Sequence, residues 1–233
     1  MHKGQHTMRT FDTPAPISAH LDIPAGRVQL IAADRADTTV EVRPANAGKS
    51  RDVKAAEQIV VTYGDGMLRI SAPPAKNQYL GPSGSVEVTV QLPAGSHVEA
   101  KTAAAEFRGV GRLGDVVVAD GYRSVKLDEA ASARITAADA DVTVGRLAGP
   151  AEISTQRGGI QITEATDGTV TLSTQQGDIT VGAAHGVSAT LDAGTGYGRV
   201  HNALLNTDGP AAGLNIHATT SYGDITARSL AAL

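Results

Sequence analysis

The chain has no cysteine and no tryptophan, and among its 233 residues only five are tyrosine and two phenylalanine. Without cysteine there can be no disulfide, no thiolate nucleophile and no cysteine-ligated zinc. With aromatics at 3%, the interior has to be filled by small and β-branched side chains. Basic residues are in slight deficit, 20 Lys and Arg against 24 Asp and Glu, for a formal net charge of −4. That balance supplies neither the basic face that nucleic acid requires nor a polybasic anchor for anionic lipid. No apolar run approaches the roughly 18 residues of a membrane-spanning helix, and residues 1–13 contain no apolar leader core. No membrane insertion and a cytoplasmic location are therefore expected.

What the chain does have is alternation. Residues 10–97 read as strands separated by turn chemistry. Ile17–Ile23 alternates and stops at Pro24-Ala25-Gly26, and Val86–Leu92 alternates and stops at Pro93-Ala94-Gly95. Gly64-Asp65-Gly66 between two apolar runs marks a hairpin. Asn46–Glu57 is polar and reads as a loop with one helical turn, and Pro73–Ser85 reads as a loop. Residues 1–9 are expected to be disordered or an extension.

From residue 98 to 230 the alternation repeats at a fixed interval. Ile135, Ile153 and Leu172 lie 18 and 19 residues apart, each followed seven residues on by Val142, Ile160 and Ile179. This pattern predicts an all-β fold, a β-solenoid in the form of a triangular, β-helix-like stack of about 18–19 residues per coil, preceded by an N-terminal β-strand region that caps it. Anchors at Leu191 and Ile216 give the last two coils turns two residues longer, reaching Val200 and Ile225 nine residues on. His201–Gly213 adds a loop rich in Asn, Asp, Gly and Pro. Arg228–Leu233 is expected to pack on the last coil or to meet another subunit.

Stacking would gather Tyr122, Asp139, Arg157, Gln176, Tyr197 and Tyr222 in one edge column, with Arg199 and Asp224 beside the last two tyrosines. Tyr122, Tyr197, Tyr222, Arg199 and Asp224 are accordingly the candidate binding residues, either as a sugar- or peptide-binding strip or as amphipathic rings covering an edge. Asp139, Asp141, Asp178 and Asp224 are the carboxylates to consider for glycoside hydrolysis, although Arg199 would lie between Asp178 and Asp224. His185, His201 and His217 fall in different columns, so no metal site is expected. Gly194–Gly198 lacks the helix and Lys-Ser/Thr of a phosphate loop, and no nucleophile elbow is present. No catalytic residue, metal or cofactor is assigned.

The phrases Gln176-Gly177-Asp178-Ile179-Thr180-Val181 and Ser221-Tyr222-Gly223-Asp224-Ile225-Thr226, after Val88–Gly95, resemble the β-strand-repeat domain of unknown function of the bacterial putative adhesin family. The resemblance spans Phe11 to Ala227. It implies a bacterial β-solenoid without an assigned activity, and it brings no catalytic residues. The expected function is a non-enzymatic binding or scaffold module that engages a protein or glycan through a solenoid face. A surface adhesin or envelope-stress protein is the alternative, and a carbohydrate-active enzyme the second alternative. A homo-oligomer formed through a solenoid end is compatible with each.

Overall fold

Alternating apolar and polar residues put successive side chains on opposite faces of an extended chain, so one face can be buried. The computed structural model describes residues 7–73 and 84–232 and follows this rule almost throughout. The strands are β1 (Thr7–Asp12), β2 (Ser18–Asp22), β3 (Ala25–Ala33), β4 (Asp37–Pro44), β5 (Val60–Gly64), β6 (Met67–Ser71), β7 (Val86–Pro93) and β8 (His97–Lys101). They continue with β9 (Ala104–Leu147), β10 (Ala151–Arg157), β11 (Ile160–Ala165), β12 (Gly168–Gln176) and β13 (Ile179–Ala183). The last are β14 (Ala189–Tyr197), β15 (Val200–Ala203), β16 (Leu214–Tyr222) and β17 (Ile225–Ser229). A helix, α1 (Ser50–Gln58), interrupts the order and packs on β4 and β7. It is longer than the single turn expected there. Its buried Asp52 accepts the Ser85 N–H at 3.0 Å.

All seventeen strands belong to one sheet, and that sheet curls into a nearly closed barrel with an open seam. This corrects the expectation of a β-solenoid stack behind a separate cap. Two features account for the difference. β9 runs unbroken for 44 residues, so the tiers are not independent coils. The N-terminal strands share the sheet, with β3 pairing parallel to both β7 and β9, and β2 to both β6 and β8. Right-handed strand twist accumulates across so many neighbours and bends the sheet round on itself. Side chains of β1 and β5 meet, with Arg9 donating to the Val61 carbonyl at 2.6 Å and the Phe11 ring 5.2 Å from that of Tyr63.

Local signals fare well. Asp65 and Gly66 both take positive φ between antiparallel β5 and β6, as a two-residue hairpin turn requires. Residues 7–9, expected to be an extension, begin β1, which pairs antiparallel with β4. Of the expected loop Pro73–Ser85, residues 74–83 lie outside the described residues.

The core is a set of apolar columns formed by parallel register. Ile135, Ile153 and Leu172 are direct neighbours, as are Val142, Ile160 and Ile179. All six are buried, and burying an aliphatic side chain of this size contributes about 1.5–3 kcal/mol. The first column continues through Ala218 and Ala193, not through Ile216 and Leu191. Since Ala193 and Ala218 precede Val200 and Ile225 by seven residues, the turns keep their ordinary length. A two-residue slip leaves the same face inward, which is why larger apolar residues nearby masked the small true anchors.

The order of neighbours near the C-terminus differs from chain order. β16 pairs with β12 on one side and β14 on the other, and β17 lies likewise between β13 and β15. The last two strands of the chain are therefore slotted inside, and β14 and β15 form the edge. The loop after β15 carries the chain back under this edge and is pinned by Ser188, whose Oγ accepts the Thr207 and Asp208 N–H groups at 3.1 Å. The C-terminal tail does not cover the end, since the Leu230 N–H donates to the Ala183 carbonyl at 2.9 Å beside β13.

Candidate functional site

The turn that joins each strand of the first column to the next is built from a repeated phrase, Thr-x-x-Gly. It occurs at Thr155 and Gly158, Thr174 and Gly177, Thr195 and Gly198, and Thr220 and Gly223. Register places these threonines side by side. Three of their hydroxyls donate to glycine carbonyls of the adjacent turn, Thr174 to Gly158 at 3.1 Å, Thr220 to Gly177 at 3.0 Å and Thr195 to Gly223 at 2.9 Å, and Thr155 donates to the Arg157 carbonyl at 2.8 Å. The glycines have positive φ and no room for a Cβ, which at Gly223 would lie 2.1 Å from the Gly177 oxygen. This spacing is visible in the sequence, but the threonine column was not anticipated there.

The turn residues between Thr and Gly point outward and form an edge column in the order Asp139, Arg157, Gln176, Tyr222, Tyr197. Tyr222 and Tyr197 stack face to face, with centroids 5.0 Å apart and planes 5° from parallel. Both remain open to solvent, at 54% and 70% exposure. Tyr122 is also exposed, but among the described residues the ring contacts are Phe11–Tyr63 and Tyr197–Tyr222, so it stands apart from the stack. It lies between two non-glycine residues of positive φ, Asp120 and Arg123.

Beside the tyrosine pair, Asp224 holds the edge turn in place. Its Oδ1 accepts the Arg199 N–H at 2.8 Å, and its Oδ2 lies 3.3 Å from the Arg199 guanidinium. The Arg199 backbone N–H is the largest influence on this carboxyl, and with the guanidinium it outweighs partial desolvation to hold the pKa below the usual carboxylate value. The Asp224 N–H in turn donates to Asp178 Oδ1 at 2.8 Å, and the Gly159 N–H to Asp141 Oδ1 at 2.8 Å. Asp178 and Asp224 are thus direct neighbours, and Arg199 is not between them.

These contacts define what the four carboxylates do. Asp141, Asp178 and Asp224 accept backbone N–H groups of the next turn, and Asp139 faces Arg157 at 3.9 Å. Three histidines pair with carboxylates across strands: His20 with Glu99 at 3.1 Å, His97 with Asp115 at 3.2 Å and His217 with Asp192 at 3.4 Å. Among the described residues no group of three or more His, Cys, Asp or Glu is placed to hold a metal ion. No helix among them is long and apolar enough to cross a membrane.

The edge that bears the tyrosine pair also exposes aliphatic side chains. Val200 is 45% exposed and Leu205 59%. Val200 ends the apolar column of Val142, Ile160, Ile179 and Ile225, every other member of which is buried.

No family model and no curated protein sequence matches the chain. Solved structures do. The chain is similar to a putative adhesin from Bacteroides fragilis, at 14% identity and a TM-score of 0.58 over 97% of this chain and 98% of that one. It is also similar to a putative adhesin from Parabacteroides distasonis, at 16% identity and a TM-score of 0.46 over 97% and 98% of the chains. A putative cell adhesion protein from Clostridium sporogenes aligns at 12% identity and a TM-score of 0.41 over 97% and 100%. The first of these likenesses establishes a shared fold. The expected cytoplasmic location is withdrawn, because the solved structure that shares this fold is named a putative adhesin.

Proposed function

We propose that this protein is a non-enzymatic, adhesin-type binding module that acts at the cell surface and contacts its partner, a protein or a glycan, through Tyr197 and Tyr222 with Arg199 and Asp224. The observation that carries this reading is the stacked, solvent-open tyrosine pair on a rigid ladder of turns. Tyrosine and arginine are the residue types that most often dominate binding interfaces, because they offer large area at low entropic cost and a polar tip for orientation. Tyr122, exposed but apart from this pair, is the secondary contact of the same reading. The fold shared with the Bacteroides fragilis putative adhesin supports the surface role. The backbone-capping duties of Asp141, Asp178 and Asp224 support a module without catalysis.

Two measurements test it together. Antibody labelling of intact cells of the native host should detect the protein without lysis. The double variant Tyr197→Ala/Tyr222→Ala should bind immobilised extracellular-matrix proteins and arrayed glycans about tenfold or more weakly than the unmodified chain. Labelling only after lysis, or undiminished binding by the double variant, would remove the reading.

A further inference from the structure

We propose that the β14–β15 edge is a self-pairing surface, by which two copies of this chain dock edge to edge about a two-fold axis. Among the described residues, four strands pair on one side only: β1, β5, β14 and β15. The first two are joined to each other by side chains, through the Arg9–Val61 hydrogen bond and the Phe11–Tyr63 contact. That leaves β14 and β15 as the outer edge, engaged at its start by the Leu205 carbonyl, which accepts the Ala189 N–H at 2.9 Å, and carrying no further strand.

Natural edges of this kind are protected by lysine, proline, a bulge or short length. β14 has none of these. It is nine residues long, Ala189 to Tyr197, with neither Lys nor Pro, and its register with β16 shows no shift. Gly194 leaves its outer face bare, with open space where a Cβ would be. The apolar column that ends in exposed Val200, and Leu205 beyond it, would be covered by a further layer.

The edge is also complementary to itself in charge. Asp192 and Arg199 stand on either side of Thr195 and Gly196, and both side chains are almost wholly exposed. A two-fold axis between Thr195 and Gly196 sets residues 194–197 at the end of β14 antiparallel to the same residues of a second copy and brings Asp192 of each towards Arg199 of the other, which stands in the turn just past β14. Because the β1 and β5 edges are engaged with each other, the second copy has the same β14–β15 edge to offer. The assembly then closes as a dimer and does not propagate. This surface does not depend on the tyrosine pair's ligand, and the two readings are tested by different quantities, mass here and adhesion there.

Sedimentation velocity of the full chain from about 1 to 100 μM provides the test. The expected result is a concentration-dependent species of twice the 23.8 kDa chain mass. Asp192→Arg alone and Arg199→Asp alone should each weaken the dimer about tenfold or more, and the two reversals combined should restore it. In the unmodified chain, β14 amides should gain protection from hydrogen exchange as concentration rises through the transition, a readout independent of any variant's folding. A monomer at every concentration would overturn the proposal. So would a dimer indifferent to the single reversals, or β14 amides that exchange alike in both states.

Discussion

Glycine at positions 158, 177, 198 and 223 holds a backbone with φ of 122° to 154° directly over the carbonyl of an adjacent turn. Gly223→Ala should therefore destabilise the fold by about 1–3 kcal/mol in denaturant unfolding, from strain and collision together. Thr174→Val keeps the shape but leaves the half-buried Gly158 carbonyl without its hydroxyl, and should cost about 0.5–1.5 kcal/mol by the same measurement. Asp224 contributes in a pH-dependent way. Its folded pKa lies below the unfolded value of 3.8, because the Arg199 N–H and guanidinium favour the carboxylate. The contribution is complete above the unfolded pKa and is lost as pH falls through the folded one. Asp224→Asn should accordingly be less stable than the unmodified chain at pH 7, with the gap narrowing below pH 3.8 in denaturant midpoints. At this scale the Gly-Asp phrases and the order Asp139, Arg157, Gln176 were legible from spacing alone. The threonine hydroxyls were not recognised because a buried Thr looks like an ordinary β-former until its acceptor is known.

Among elements, the least legible feature is the slotting of β16 and β17 between earlier strands. Parallel strands with near-identical phrases pair interchangeably, so a repeat states the distance between partners but not which copy sits next to which. Only the segment Leu204–Gly213 signals the return, by being longer than the other connections after β8. Ser188 fixes that return with a side chain 7% exposed and two backbone N–H donors. Ser188→Ala should lower stability by about 1–3 kcal/mol in thermal or denaturant unfolding, since both donors lose their acceptor. α1 was under-read for a related reason. Its sequence is mostly polar, with only a narrow buried stripe of Asp52 and Ala56, so periodicity gives little sign of a nine-residue helix.

For the whole molecule, all-β architecture and a parallel pairing distance of 18–19 residues were readable from Ile135, Ile153 and Leu172. The closure of the sheet was not, because curvature arises from twist accumulated over strands that alternation cannot count. β9 makes the point: its 44 residues contain the same alternation as the short strands yet never leave the sheet. The N-terminal strands likewise alternate as a cap would, and only their pairing with β7, β8 and β9 shows that they belong to the same surface. The consequence for function is one of position. The tyrosine pair lies at an open edge made by β14 and β15, not at an end covered by the C-terminal tail.

The absence of native cysteine makes this arrangement directly testable by paired cysteine substitutions. Register sets Gln176 beside Tyr222 and places Tyr197 one strand further out. Adjacent strands are about 4.8 Å apart, within disulfide reach, whereas a two-strand separation of about 10 Å is not. Under mild oxidation, Gln176→Cys/Tyr222→Cys should form an intramolecular disulfide, and Gln176→Cys/Tyr197→Cys should stay reduced. The opposite outcome, a disulfide in the second pair and none in the first, would mean that the strands follow chain order and that β14 and β15 are not the edge.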